Sequence, residues 1–376
     1  MNVIFGAAVM GRITLRAARA QGIEIECFAD DFIGGKVLDT DVINPSALLD
    51  KKATFYLTSP NIGDMISRLT SLGFHDLRSC GDILRGTDMD HLEQDAQYSP
   101  EHQKYLVRTC LHQHQNHAQP ERLTVQSVDL MVTEKCSMKC KDCSNLMQFY
   151  EKPEDAEVPA MCGMVDDLCA VMDEIYEVRV IGGEPFMHRE VHRIVEHLND
   201  EPKIKRVSIF TNATILPRDW KPFEHQKVRF FITEYDQSRK LSEMISGLVE
   251  RGIAYVSERA NGWTDCSPLD KNNRGKAANE ALWGKCCAKN LATLADGRLY
   301  RCPFSANAFK LGAVPDYKDD YLTLPASRAE VKAFLREKKM IETCDHCAGR
   351  SYDAPEITPA IQTKKPLVYR KYPNGA

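Results

Sequence analysis

The stretch EKCSMKCKDCSN, residues 134–145, places Cys136, Cys140 and Cys143 within eight residues of one another, in the spacing C-x3-C-x2-C. Reducing compartments disfavour disulfides, so clustered thiols in such a chain point to metal binding or catalysis. Three thiolates at this spacing suit three irons of a cubane cluster and leave the fourth iron open to a small ligand. The rival is a structural zinc, which needs a fourth ligand and commonly takes it from a second C-x2-C pair. Cys344 and Cys347 form such a pair, about 200 residues downstream.

The cysteine loop follows an apolar run, VQSVDLMVTEKC (125–136), that reads as a strand. Helix-patterned and strand-patterned segments then alternate. MVDDLCAVMDEIY (164–176) carries apolar residues at 165, 168, 171, 172 and 175 and reads as an amphipathic helix. EVRVIGGEPF (177–186) is a strand breaking into Gly182-Gly183, VHRIVEHLND (191–200) a helix, and IKRVSIFTNATIL (204–216) a strand. KVRFFITEYD (227–236) and IAYVSERANGW (253–263) are strands on either side of the helix SEMISGLVERG (242–252). Repeated strand–helix units imply a parallel sheet, and five or six of them an open barrel with its functional groups at the C-terminal strand ends.

On these residues the chain resembles the radical S-adenosylmethionine (SAM) enzymes, whose signature is C-x3-C-x2-C after the first strand of a partial barrel. The resemblance implies that Cys136, Cys140 and Cys143 hold a 4Fe-4S cluster whose open iron is chelated by SAM, which one electron cleaves to a 5′-deoxyadenosyl radical. Gly182, Gly183 and Glu184 look like that family's GGEP element, whose open backbone and carboxylate would meet SAM's ammonium. Thr211 and Asn212, in FTNAT (210–214), look like its TNG element near the ribose and carboxylate of SAM, with Ala213 in place of the usual glycine.

Downstream, Cys287 is followed by nine residues, Gly297, four residues and Cys302, and then by Cys344-x2-Cys347. This pattern resembles the shorter, twitch form of the SPASM extension. It implies a second, auxiliary 4Fe-4S cluster on Cys287, Cys302, Cys344 and Cys347. The adjacent Cys286 competes with Cys287 for the first position, and a zinc knuckle is the alternative for the C-x2-C pair. Such a cluster would transfer electrons or brace the fold.

The first 85 or so residues read as a small α/β unit: NVIFGAA (2–8), the helix GRITLRAARAQG (11–22), and IEIECFADD (23–31) ending on Asp30 and Asp31. Gly6, Ala8 and Gly11 give G-x-A-x-x-G, an imperfect dinucleotide fingerprint, so nucleotide binding and plain docking both stay open. The unit resembles Rossmann-like modules attached to enzymes of surface-sugar and nucleotide-sugar assembly. Residues 86–122, with His112, His114 and His117, read as a polar helical connector.

These features together predict an α/β chain of 376 residues. It would comprise a Rossmann-like module (1–88), a helical linker (89–122), a partial (β/α)6 barrel (123–275), a twitch domain (276–350) and a tail (351–376) rich in proline and lysine. The expected reaction is hydrogen abstraction from a carbinol carbon of a sugar or polyol phosphate, or a nucleotide-linked sugar, leading to epimerisation. Cys266, which fits neither cluster pattern, is the candidate thiol that returns hydrogen to the opposite face. Alcohol dehydrogenation, peptide maturation and a non-catalytic iron–sulfur or zinc sensor are the alternatives. Glu234, Tyr235 and Asp236 are candidate polar contacts, with Arg259, Arg274 and Lys276 as anion partners. A reductant such as flavodoxin or ferredoxin is the implied protein partner.

A net charge of −4 makes no electrostatic case for nucleic acid or a membrane surface. No apolar run approaches the ~18 residues of a spanning helix, and the N-terminus lacks the pattern of a signal peptide. Cytoplasmic residence is the expectation.

Overall fold

The structure, a computed structural model, describes residues 1–265, 268–286, 288–337, 339–349 and 354–372. It divides into two compact units, Met1–Arg122 and Leu123–Ala376. No helix among the described residues is long and apolar enough to cross a membrane.

In the first unit, β1 (Asn2–Phe5), α1 (Val9–Ala20), β2 (Cys27–Ala29), β3 (Gly35–Val37), β4 (Thr40–Ile43), β5 (Thr54–Leu57), α2 (Ile62–Ser71), β6 (Asp76–Ser79), α3 (Gly81–Leu84) and α4 (Pro100–His117) follow in order. The sheet runs β3-β4-β2-β1-β5-β6 and is parallel except for the β3–β4 hairpin, which the sequence reading did not anticipate. Gly11 lets α1 lie directly on the strand turn: a Cβ there would sit 1.9 Å from the Gly6 carbonyl oxygen. Asp30, the carboxylate in the ribose position of the fingerprint, is buried and turned into its own loops. It accepts from the backbone N–H groups of Ala7 (2.8 Å), Phe32 (2.8 Å) and Ile33 (3.0 Å). Asp31 pairs with Arg68.

The polar connector expected over 86–122 is instead a packed part of this unit. Ser99 caps α4 with Pro100 in its first turn, and Val107 and Cys110 enter the same apolar cluster as Ile4, Ile13 and Phe28. Histidines and glutamines around a narrow apolar stripe hid this face from a pattern reading.

The second unit contains β7 (Thr124–Thr133), α5 (Val158–Val171), β8 (Glu174–Gly182), α6 (Val191–Asp200), β9 (Val207–Thr211), β10 (Val228–Glu234), α7 (Leu241–Glu250), β11 (Ala254–Arg259) and β12 (Trp263–Thr264). After these come α8 (Lys276–Gly284), β13 (Leu291–Ala295), β14 (Arg298–Tyr300), α9 (Pro303–Lys310), β15 (Tyr321–Thr323), α10 (Arg328–Arg336) and β16 (Glu356–Ile357). The main sheet is ordered β11-β10-β9-β8-β7-β13-β14-β15. β7 to β11 are parallel neighbours in chain order, and the sixth parallel strand, β13, joins on the far side of β7. The segment expected to form a separate domain from 276 therefore continues the barrel sheet itself.

One sheet face is apolar. Val128, Leu130, Val178, Val180, Ile209 and Phe230 pack against α5, α6 and α7 in the largest core cluster. Alternate residues point to the other face. There Asp129, 0% exposed, meets the Arg179 guanidinium at 2.5 Å, beside the stacked rings of Phe210 and Phe231. Burial raises the Asp129 pKa, and Arg179 opposes that shift. The helix expected over 164–176 begins earlier, with a proline in its first turn, and stops at Val171. Residues 174–176 belong to β8, whose Glu174 and Ile175 pair with Thr124 and Val125 of β7. Strand pairing overrides the helical spacing there.

Candidate functional site

The three sequence motifs meet because their strands are neighbours. The cysteine loop leaves the C-terminal end of β7, Gly182 ends β8, and Thr211 ends β9. Backbone bonds join the first two loops: Gly183 N–H donates to Thr133 O (2.8 Å), and Glu184 N–H to Lys135 O (2.9 Å). The glycines serve this join. A Cβ on Gly182, whose φ is +140°, would lie 2.2 Å from Thr133 O, and one on Gly183 would lie 2.1 Å from Lys135 O. The space that glycine was expected to leave for a ligand is filled here by the cysteine loop's own backbone.

Glu184 joins the second loop to the third. Its carboxylate, 0% exposed, accepts from Thr211 Oγ1 (2.8 Å), Asn212 N (2.9 Å) and Phe186 N (3.3 Å). Burial raises its pKa to about 7 against these three donors. Asn212 extends the link to the thiols, its Nδ2 lying 3.8 Å from Cys136 Sγ and 3.4 Å from Ser137 Oγ. Ala213 takes a left-handed φ of +52° with its methyl group in the core, which shows why glycine suits this position. Asn145, from the far end of the cysteine loop, donates to Gly182 O at 2.9 Å.

Cys136, Cys140 and Cys143 share one packed group with Met138, Ala360, Tyr235 and Trp263. Burial pushes the Cys140 thiol up to about 11, and the Cys143 thiolate adds to that, while a hydrogen bond from Gln362 pulls it down. Cys136 is raised by burial and by the charges of Cys143, Glu184 and Cys140. Three thiolates forced together out of water need a multivalent cation to be stable. This soft donor set on one loop therefore fits an iron–sulfur cluster.

The downstream cysteines form a second gathering. Cys302 caps α9, its Sγ accepting from Ser305 N (3.4 Å), and Cys347 Sγ accepts from Gly349 N (3.3 Å). Cys344 is pushed up to about 12 by burial, with the charges of Cys302 and Cys347 contributing. Arg274, considered above as an anion partner, instead spends its guanidinium on the carbonyls of Cys344 (3.3 Å) and Cys347 (3.0 Å). Cys286 Sγ accepts from Ala288 N at 3.4 Å. Cys287 and Cys266 lie outside the described residues.

Several curated proteins align with part of the chain. The GTP 3′,8-cyclase of Stenotrophomonas maltophilia (strain R551-3) is 30% identical over 90 residues, which are 24% of this chain and 27% of that protein. The probable GTP 3′,8-cyclase of Methanothermobacter marburgensis is 26% identical over 156 residues, 37% of this chain and 48% of that protein. The chain itself carries an intact C-x3-C-x2-C at the end of β7. On these alignments and that motif the chain is similar to the radical SAM enzymes. It spans about a quarter of the length of the first of these relatives and about half of the second. The solved structure of BtrN in complex with AdoMet and 2-DOIA aligns with TM-score 0.40 and 14% identity over 60% of this chain and 93% of that one. No family model matches.

Among the other candidates, Glu234 accepts from Ser257 Oγ (2.6 Å), Arg259 pairs with Asp236 (2.6 Å), and Lys276 lies 3.8 Å from Glu280. Only Tyr235 reaches the thiol group, where it meets Trp263 edge-on. In the first unit, Cys80 and Cys110 lie close to His114. Cys110 Sγ lies 3.5 Å from its Nε2 and 3.8 Å from Cys80 Sγ. Nε2 also lies 2.8 Å from the Ser59 carbonyl, which can only accept, so Nε2 carries the proton. Nδ1 then accepts from Ser79 Oγ (2.7 Å), and neither nitrogen is left to bind a metal. Asn145 and Gln362 were missed by sequence reasoning: lone amides carry no spacing signal, and Gln362 lies 222 residues from the thiol it touches.

Proposed function

We propose that this chain is an enzyme that binds SAM at a 4Fe-4S cluster on Cys136, Cys140 and Cys143. It takes a hydrogen atom from a carbinol carbon of a sugar or polyol phosphate, or of a nucleotide-linked sugar, and inverts that centre. The observation that carries the reading is the convergence of the thiol loop with Gly182–Glu184 and Thr211–Asn212 at adjacent strand ends. When bound, the cluster and SAM supply one electron and a carbon radical able to take a C–H hydrogen. Glu184, sealed inside, keeps the second and third loops in register, and Asn212 reaches across to the first.

The abstraction leaves a carbon radical on the substrate. A hydrogen atom from the Cys266 thiol on the opposite face completes the inversion and leaves a thiyl. One electron and one proton restore the thiol. The electron would come from a reductant such as flavodoxin or ferredoxin; Cys287, Cys302, Cys344 and Cys347 would hold an auxiliary 4Fe-4S cluster, which could supply electron transfer. Cys266 is the donor proposed on its sequence position, since it fits neither cluster pattern. The sugar-type substrate rests on the α/β character of the first unit.

Dehydrogenation is the second reading, favoured by the thiols gathered around Cys344. There the substrate radical would pass its electron to the auxiliary cluster and its hydroxyl proton to solvent, giving a ketone. Turnover in D2O with SAM, reductant and a panel of sugar and polyol phosphates separates the two. GTP, the substrate in the names of the relatives, belongs in the panel. Inversion with one deuterium at carbon, lost in Cys266→Ala although 5′-deoxyadenosine still forms, is the expected result. An unlabelled ketone would favour dehydrogenation, and no 5′-deoxyadenosine under any condition would overturn both.

A further inference from the structure

The tail, in its described part, lies along the cysteine loop. Lys141 N–H donates to Ile361 O (2.7 Å) and Thr363 N–H to Lys139 O (2.7 Å), so 361–363 forms a short antiparallel bridge opposite Cys140. Beyond it, Leu367 N–H donates to Gln148 O (2.9 Å), and Tyr369 meets the Phe149 ring edge-on.

Between these backbone bonds sits the Gln362 carboxamide. Its oxygen accepts from Lys139 N–H (2.7 Å), while its nitrogen lies 2.7 Å from Ala360 O and 3.3 Å from Cys140 Sγ. Neither end can be exchanged: a backbone N–H faces one side and a backbone carbonyl the other, so the amide orientation is set by the main chain. An N–H is therefore aimed at the sulfur of a buried cysteine.

We propose that Gln362 is a positioning residue that tunes the SAM-binding cluster. Its donated hydrogen bond draws electron density from the Cys140 sulfur and makes the cluster easier to reduce. The inference rests on Cys140 being a cluster ligand, as in the reading above. Hydrogen bonds to cluster sulfurs are one of the means by which a protein sets the potential. Here the donor arrives from the far end of the chain, so a separate segment is part of the cluster environment. A reduced cluster carries one more electron, and the N–H dipole stabilises that added charge.

Gln362→Glu and Gln362→Leu test this in full-length, anaerobically reconstituted protein. Glu keeps the acceptor for Lys139 N–H and removes the donor to sulfur. Leu removes both. Iron content and an EPR-monitored redox titration without SAM or substrate are the readouts. With iron content as in wild type, the reduced-to-oxidised ratio at a fixed reductant potential should fall on the order of tenfold in Gln362→Glu, equivalent to about 59 mV for a one-electron couple. Gln362→Leu should shift it in the same direction. An unchanged potential in an iron-replete Gln362→Glu protein overturns the proposal while leaving the function above intact. Iron lost from both variants but not from wild type also overturns it, since Gln362 would then only hold the loop. Absence of iron in wild type defeats the functional reading instead.

Discussion

Gly183→Ala is the sharpest test of how the loops are joined. Gly183 is not in the left-handed region, so backbone conformation gives no reason for glycine there. The reason is space. The added Cβ would lie 2.1 Å from Lys135 O, 2.5 Å from Lys135 C and 3.0 Å from Cys136 Cβ. Two of these three atoms are backbone, which cannot rotate away as a side chain can. The contact must break the Glu184 N–H to Lys135 O bond and strain that from Gly183 to Thr133. Each such bond contributes about 0.5–1.5 kcal/mol, and overpacking of this kind costs about 1–3 kcal/mol. The sum, about 3 kcal/mol, is relieved only if Lys135 and Cys136 move outward, and Cys136 is one of the three proposed cluster ligands. Gly183→Ala should therefore lower iron content after anaerobic reconstitution, weaken SAM binding and lower the melting temperature. Gly163→Ala is the control: it lies within α5, an added Cβ meets open space, and a gain of about 0.5–1 kcal/mol is expected. A Gly183→Ala protein with wild-type iron, SAM affinity and melting temperature would refute the steric argument.

The buried Glu184 carboxyl, with its pKa raised to about 7, makes the folded protein lose stability as pH rises from the unfolded value of 4.5 through 7, by about 3 kcal/mol. Glu184→Gln should remove that slope, so urea unfolding of the two proteins should converge or cross toward pH 8, and parallel curves would contradict it. Arg179→Leu strands Asp129 inside the sheet and should cost about 3–5 kcal/mol, less at low pH where Asp129 takes a proton; Asp129→Leu/Arg179→Leu should recover part of the loss. Cys344→Ala should drop reconstituted iron from about eight to about four per chain while the SAM-dependent EPR signal survives. Zinc in place of iron at that site would instead point to a structural knuckle.

The parts of the site legible in sequence are those in which composition and strand direction coincide. Cys136, Gly182 and Thr211 each follow an apolar run, and parallel strands in chain order bring their ends together whatever the intervening helices do in detail. Boundaries were less legible where pairing overrode propensity, as at Glu174–Tyr176, which carry a helical spacing but join β7 across the sheet. Contacts between remote segments left no local trace at all. Nothing around Leu291–Ala295 announces that it pairs with Ser127–Leu130 rather than continuing past β11. Nothing in Ile361–Thr363 announces Cys140. The roles assigned to Gly182, Gly183 and Glu184 show a further limit: the residue types were recognisable, but whether they face a ligand or each other depends on atoms that only the fold supplies.

That distinction bears on how the loops act together. Thr133 and Lys135 bond to the second loop, Glu184 bonds to the third, and Asn212 returns to Cys136 and Ser137, so the three loops close a ring of hydrogen bonds that includes Cys136. The tail closes the remaining side through Cys140. The same tail carries Leu367 and Tyr369 into the apolar cluster around Phe149 that Cys302 and Cys347 also pack against. Thiols in such surroundings resist ionisation, and a bound cluster requires them ionised, so metal loading must release protons and order the loops at once. With the proposed cluster bound the coupling would run in both directions: whatever loosens the ring would weaken the cluster, and loss of the cluster would leave buried thiols that hold their protons. Glu184 and Asn212 take part in this ring through the hydrogen bonds that join the loops.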